Sequence, residues 1–192
     1  MSIIYIYCPA SSYSEGPTLA HQLCSCLIKN GMQAKMWYDC NPIKKLYIDP
    51  VHERYRHFNC PYVLRAPKDS ENNVIIALES DVSILKHYKA AKRYIWWMSV
   101  DNYFLNMANL FDHKKNRMGL YDPSIEYCQK YEQLKRYAIY KEGDIIHIVQ
   151  SDYARLFLLS RNINIKNIRD LGDYLKDAVL NGEMLPKNWT GQ

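Results

Sequence analysis

Short apolar runs separated by helical patterns dominate this chain, and few folds accommodate that alternation. Residues 3–8 read IIYIYC, a continuous apolar run with the character of a strand buried on both faces. Residues 18–31, TLAHQLCSCLIKNG, place Leu19, Leu23, Cys26 and Leu27 at helical spacing, and Gly31 is positioned to stop the helix. QAKMWYD (33–39) then alternates as a second strand. Strand, helix, glycine and strand make a βαβ unit, which requires a parallel sheet.

The pattern continues along the chain. Residues 41–72 hold prolines and polar clusters and read as loops with one short helix and a short strand. NVIIALES (73–80) and RYIWWMSV (93–100) are strands, with a helix between them over 81–92 that Asp81 is placed to cap. Further helices are expected over 101–112 and 125–140, with a polar loop at 113–124. DIIHIVQS (144–151) is a strand, 152–163 a helix, and 165–180 a short strand followed by a closing helix or an extended exit segment. The expected fold is a Rossmann-like three-layer α/β/α sandwich on a mainly parallel sheet, a single domain over 1–180 with a polar tail at 181–192.

Charge and cysteine usage narrow the function classes. Lys and Arg exceed Asp and Glu by 25 to 20, and the excess is scattered rather than gathered in a stripe, which disfavours a nucleic-acid binder. Most of the seventeen tyrosines suit half-buried strands. None of the six cysteines forms a C-x-x-C pair, so no zinc ribbon is expected, and Cys8 reads as a small hydrophobe at a strand end. The start MSIIYIYCPAS lacks a basic n-region, and no run approaches membrane-spanning length. A cytoplasmic protein with reduced thiols is the expectation.

In open parallel sheets ligands gather beyond the carboxyl ends of the strands, which selects residues 9–17, 79–83, 99–103 and 150–153. In the first of these, Pro17 suits the opening turn of a helix and Gly16 permits close approach, so the N–H groups of residues 18–20 would face a bound group. No G-x-G-x-x-G and no P-loop is present, which leaves a structural turn and a ligand cradle both open. At 101–103 the Asp101-Asn102 pair either caps the next helix or grips sugar hydroxyls. Trp96 and Trp97, adjacent in a strand, should point to opposite faces. Within HIVQSDYAR, His147 alternates with Ile146 and Ile148 as a core histidine, while Gln150, Ser151 and Tyr153 are the better site candidates. His21 and His87 have no partner identifiable from sequence, and neither a Ser/His/Asp set nor a metal-ligand cluster stands out.

The segments SEGPTLAHQLCSCLIKNGMQAKMWY, AKRYIWWMSVDNYF and HIVQSDYARLFLLSRNI, followed by LGDYLKD, together resemble the N-terminal half of bacterial GT-B glycosyltransferases, those of lipopolysaccharide and capsular polysaccharide synthesis in particular. The resemblance runs from about residue 3 to residue 180 and rests on the order of several short motifs. It implies an acceptor-holding domain with a nucleotide sugar as co-substrate and no cofactor or metal. It also implies a glycan or glycolipid acceptor, a C-terminal donor-binding domain or partner subunit, and work at the inner face of the membrane. Gly16 and Pro17 match the family's Gly-Gly-Pro loop, but Glu15 stands where the first glycine would be. A carboxylate there opposes a diphosphate and obstructs backbone approach, so either Glu15 points away or the loop contacts an acceptor instead. By the same resemblance Asp101 and Asn102 fall where relatives reach the sugar, and Tyr103 beside them is a further substrate-binding candidate. The competing expectations are a non-catalytic sugar- or nucleotide-binding module that pairs with another subunit, and a flavodoxin-like regulatory domain.

Overall fold

Runs of Ile, Val, Tyr and Trp bounded by glycine, proline and polar residues fold into strands because their branched and aromatic side chains pack on a pleated surface. The computed structural model describes residues 2–39, 49–103 and 138–171. Among these residues the strands are β1 (Ile3–Pro9), β2 (Ala34–Asp39), β3 (Tyr62–Val63), β4 (Asn73–Leu78), β5 (Lys92–Trp97), β6 (Ile146–Val149) and β7 (Ile168–Asp170). They form one sheet in the order β3-β2-β1-β4-β5-β6-β7, and every neighbouring pair is parallel. The chain therefore builds outward from β1 to β3, returns, and builds outward again from β4. The Rossmann-like α/β fold is as expected, with its reversal of strand order between β1 and β4.

Alternation along each strand divides the core into two layers. On one face Ile6, Cys8, Met36, Tyr38, Ile76, Leu78 and Trp96 pack with Ala20 and Cys24 of helix α1 (Glu15–Lys29). On the other, Tyr7, Trp37, Ile75, Ala77, Ile95, Trp97 and Val149 pack with Val82 and Leu85, and with Phe157 and Leu158 of helix α2 (Asp152–Ser160). Trp96 and Trp97 thus lie on opposite faces, and helices cover both sides of the sheet.

The buried stripe of α1 differs from the expected one. Pro17, Ala20, His21 and Cys24 face the sheet, Leu19, Leu23 and Leu27 are half-buried at its flanks, and Cys26 is exposed. Small residues in the centre let the helix approach the strands closely, and the leucines seal the margins. Gly31 ends α1 as expected, at φ 78°. Its N–H donates to Ile28 O (2.9 Å) and that of Met32 to Leu27 O (3.0 Å), which satisfies the last carbonyls. Asn162, at φ 61°, ends α2 in the same way.

The 81–92 helix is a correction. Residues Glu79–His87 form 3₁₀ turns broken at Asp81 (φ −125°, ψ 22°), with Leu78 rather than Asp81 at the start, and β5 already begins at Lys92. Val82 and Leu85 are the anchors that matter, and three residues per turn bring both onto the sheet within a short connection. The expected short helix and strand of 41–72 appear as 3₁₀ turns at Glu53–Phe58 and as β3. The remainder of the 101–112 helix beyond Tyr103, the 113–124 loop, most of the 125–140 helix, the closing helix after Leu171 and the 181–192 tail lie outside the described residues.

Candidate functional site

Reversal of strand order separates the connections that leave β1 and β4, and a crevice opens between them at the carboxyl edge of the sheet. It measures about 590 Å³ and is lined by Pro9, Ser12, Ser14, Glu15, Gly16, Pro17, Leu19, Leu78, Glu79, Ser80, Asp81, Met98, Ser99, Asn102 and Gln150. Glu15, Gly16, Pro17, Asn102 and Gln150, drawn from three distant parts of the sequence, meet here as expected. Asp101, Tyr103, Ser151 and Tyr153 are not among the lining residues.

The loop from β1 to α1 is held from outside. Ser11 N–H donates to Pro50 O (2.8 Å), and Ser14 N–H donates to Tyr55 Oη (3.2 Å), whose hydroxyl lies 3.1 Å from Ser14 O. The helix begins earlier than the sequence suggests: Ser14 is the residue before its first turn, and Thr18 N–H already donates to Ser14 O (3.2 Å). The N–H groups of 18–20 are thus inside the helix, which favours the structural turn over the cradle of the two alternatives. Gly16 instead serves close packing, since a Cβ there would lie 3.3 Å from Leu78 Cδ1 and 3.6 Å from Met98 Sδ.

Beneath this loop lies a carboxylate that the sequence reading did not single out. Glu79 follows β4 directly and is 4 % exposed. Its Oε2 accepts the Met98 N–H (3.1 Å), and the Asn102 side chain also bonds to it. Burial outweighs these bonds and pushes its pKa up to about 7. Asp81, two residues on, accepts from Ser80 Oγ (2.6 Å) and is likewise raised by burial. Burial, with Asp81 nearby, pushes the Cys8 thiol up to about 12, consistent with its place in the core. The sequence places Glu79 in the 79–83 strand-end segment but carries no signal that this carboxylate, rather than a neighbour, is buried.

The remaining expected residues do other work. Ser99 Oγ, not Asp101, accepts the Asn102 N–H (3.2 Å) at the start of the next helix, so the capping expected of Asp101 falls to the serine. Asp101 accepts from Tyr153 Oη (3.2 Å) at the surface. Tyr103 is 1 % exposed and packs against Trp97 and Tyr140, too deep to reach a ligand. Ser151 caps α2, with its Oγ accepting Ala154 N–H (3.3 Å). His147 is a core histidine whose Nδ1 accepts the Trp97 indole N–H (3.0 Å), and burial pulls its pKa down to about 4. His21 does have partners: Nδ1 lies 2.6 Å from Pro17 O and Nε2 2.5 Å from Tyr38 Oη.

Electrostatically the crevice is one-sided. Glu15, Glu79 and Asp81 border it, and no Lys or Arg is among its described lining residues. Such walls repel a diphosphate, whereas carboxylate and amide oxygens accept bonds from hydroxyl groups. Gln150 adds an amide, its Nε2 lying 3.5 Å from Met98 O. Among the described residues no three His, Cys, Asp or Glu side chains gather so as to hold a metal ion, and no helix is long and apolar enough to cross a membrane.

Fold and crevice together define a Rossmann-like α/β domain with an acid-lined site at its switch point. No family model, curated protein or solved structure matches the chain.

Proposed function

We propose that this domain is the acceptor-holding half of a glycosyltransferase of bacterial surface-polysaccharide or lipopolysaccharide biosynthesis, with the switch-point crevice as its acceptor site. The observation that carries the reading is Glu79, a buried carboxylate with a pKa near 7 in a crevice bordered by hydroxyl-accepting groups and no cation among its described residues. A group of that pKa suits proton acceptance at neutral pH. In the transfer step an acceptor hydroxyl oxygen bonds to the anomeric carbon of the nucleotide sugar. The bond from that carbon to phosphate breaks, the nucleoside diphosphate leaves with the electron pair, and the hydroxyl proton passes to Glu79. The walls described here offer nothing to hold the departing diphosphate, so the donor is held by a second domain or subunit.

The test is heteronuclear NMR of the full chain with galactotriose and, separately, with UDP. The sugar is expected to shift the Asn102 and Gln150 amide resonances while UDP leaves them unmoved. Binding of UDP in the crevice, or silence toward neutral sugars, would overturn the reading. If the chain is a binding module without catalysis, Glu79→Gln in the complete assembly will leave transfer unchanged. As a proton acceptor its loss should cost about a hundredfold or more.

A further inference from the structure

A second cavity of about 630 Å³ lies beside the first, between α1 and the Glu53–Phe58 turns, and Glu15 borders both. Its walls differ in charge from those of the crevice. Arg54 and Lys29 line it, and neither makes an ion pair with any described residue. The Arg54 guanidinium lies 4.3 Å from the Tyr13 ring centroid and donates to the Tyr13 hydroxyl. Tyr13 in turn stacks on His52 at 5.2 Å. A guanidinium held over an aromatic ring and bonded to its hydroxyl is oriented before any ligand arrives, and its planar fork matches a carboxylate.

Two further observations narrow the ligand. Gln22, which lines the cavity, has a buried Oε1 with no hydrogen-bond partner, an acceptor suited to a hydroxyl donor. The aromatic rings are not a platform for a nucleobase. Tyr13 carries Arg54 and His52, Tyr55 stacks on His21 at 4.3 Å, and Phe58 carries His57 at 4.0 Å. The groove thus offers one pre-set cation and an unmet hydroxyl acceptor, with its rings already engaged.

We propose that this groove binds a carboxylate-bearing sugar unit of the acceptor glycan, with Arg54 on the carboxylate and Gln22 on a ring hydroxyl, while the neighbouring unit occupies the crevice across Glu15. The inference rests on the acceptor reading above and adds to it the class of acceptor, an acidic oligosaccharide. It also accounts for Glu15 without a diphosphate: the residue stands between the two sugar positions.

Affinities of galacturonosyl-galactobiose (one terminal carboxylate), galactotriose and UMP for the full chain, with NMR to locate each, test this. The acidic trisaccharide is expected to bind about fivefold more tightly than galactotriose at low salt, an exposed-pair magnitude, with the gap closing as salt rises. It should shift Tyr13, Arg54 and Phe58 in addition to Asn102 and Gln150. Arg54→Gln, a change at an exposed side chain, should abolish the preference. Equal affinity for the two sugars, a preference that survives Arg54→Gln, or displacement of the acidic trisaccharide by UMP would each overturn the groove assignment. If galactotriose shifts the crevice resonances but no acidic preference exists, the groove inference alone fails. If galactotriose leaves Asn102 and Gln150 unmoved, the acceptor reading fails, and with it the claim that one glycan spans both cavities.

Discussion

Replacing Glu79 by Gln should make the protein more stable at neutral and alkaline pH, and the size of the gain should track the ionisation of this one side chain. In the fold the carboxyl is 4 % exposed, and burial raises its pKa from 4.5 to about 7. Between those values the native chain holds a proton that the unfolded chain has released, so ν_U − ν_N is negative and stability falls as pH rises. At about 1.36 kcal/mol per pH unit the full cost approaches ~3 kcal/mol, reached once the pH exceeds 7. Gln keeps the size of the side chain and an oxygen for the Met98 N–H, so the fold loses the charge and little else. The assay is urea unfolding of both proteins at pH 5, 6, 7 and 8. The variant's advantage should be small at pH 5, grow through pH 6 and 7, and level off near pH 8, with the nearby Asp81 charge adding to the cost of ionising Glu79 in the native protein. Parallel pH profiles would refute the argument, since they would mean that Glu79 titrates as an ordinary exposed carboxylate.

Two further outcomes follow from the core. His147 has its pKa pulled down to about 4, so the native state stays neutral where the unfolded chain takes up a proton, and stability is lost as pH falls from 6.5 toward 4; its ring proton resonance should stay unshifted in NMR down to about pH 5 and move only below it. Trp97 is fully buried among Tyr103, Tyr140 and Phe157 and donates to His147, so Trp97→Ala should cost ~3–5 kcal/mol in urea unfolding, with Trp97→Phe costing clearly less.

Much of the fold was legible because its signals are local. Ile3–Pro9 and Asn73–Leu78 announce themselves by their Ile- and Val-rich runs and Lys92–Trp97 by its YIWW stretch, and Gly31 marks a helix end that no other residue accommodates as easily. The 79–87 segment was misjudged for the opposite reason: apolar spacing over a few residues does not separate 3₁₀ turns from an α-helix, and packing of Val82 and Leu85 decided between them. Glu15, Gly16, Pro17, Asn102 and Gln150 come together at one crevice because strand ends are where loops converge. Tyr103 and Ser151 were misassigned because the same position can feed the core or cap a helix, and orientation settles which.

Alternation of period and composition, with punctuation by Gly and Pro, already determined a parallel α/β sandwich and the edge at which its loops gather, because backbone pairing and side-chain pleat follow from neighbours in sequence. Which carboxylate is buried is a different kind of fact. The pKa of Glu79 near 7 depends on its burial and on bonds from Met98 and Asn102, which lie far along the chain, and the groove beside Arg54 exists only because the 53–58 turns pack against α1. Desolvation and cavity shape are sums over surroundings that only the tertiary structure brings together.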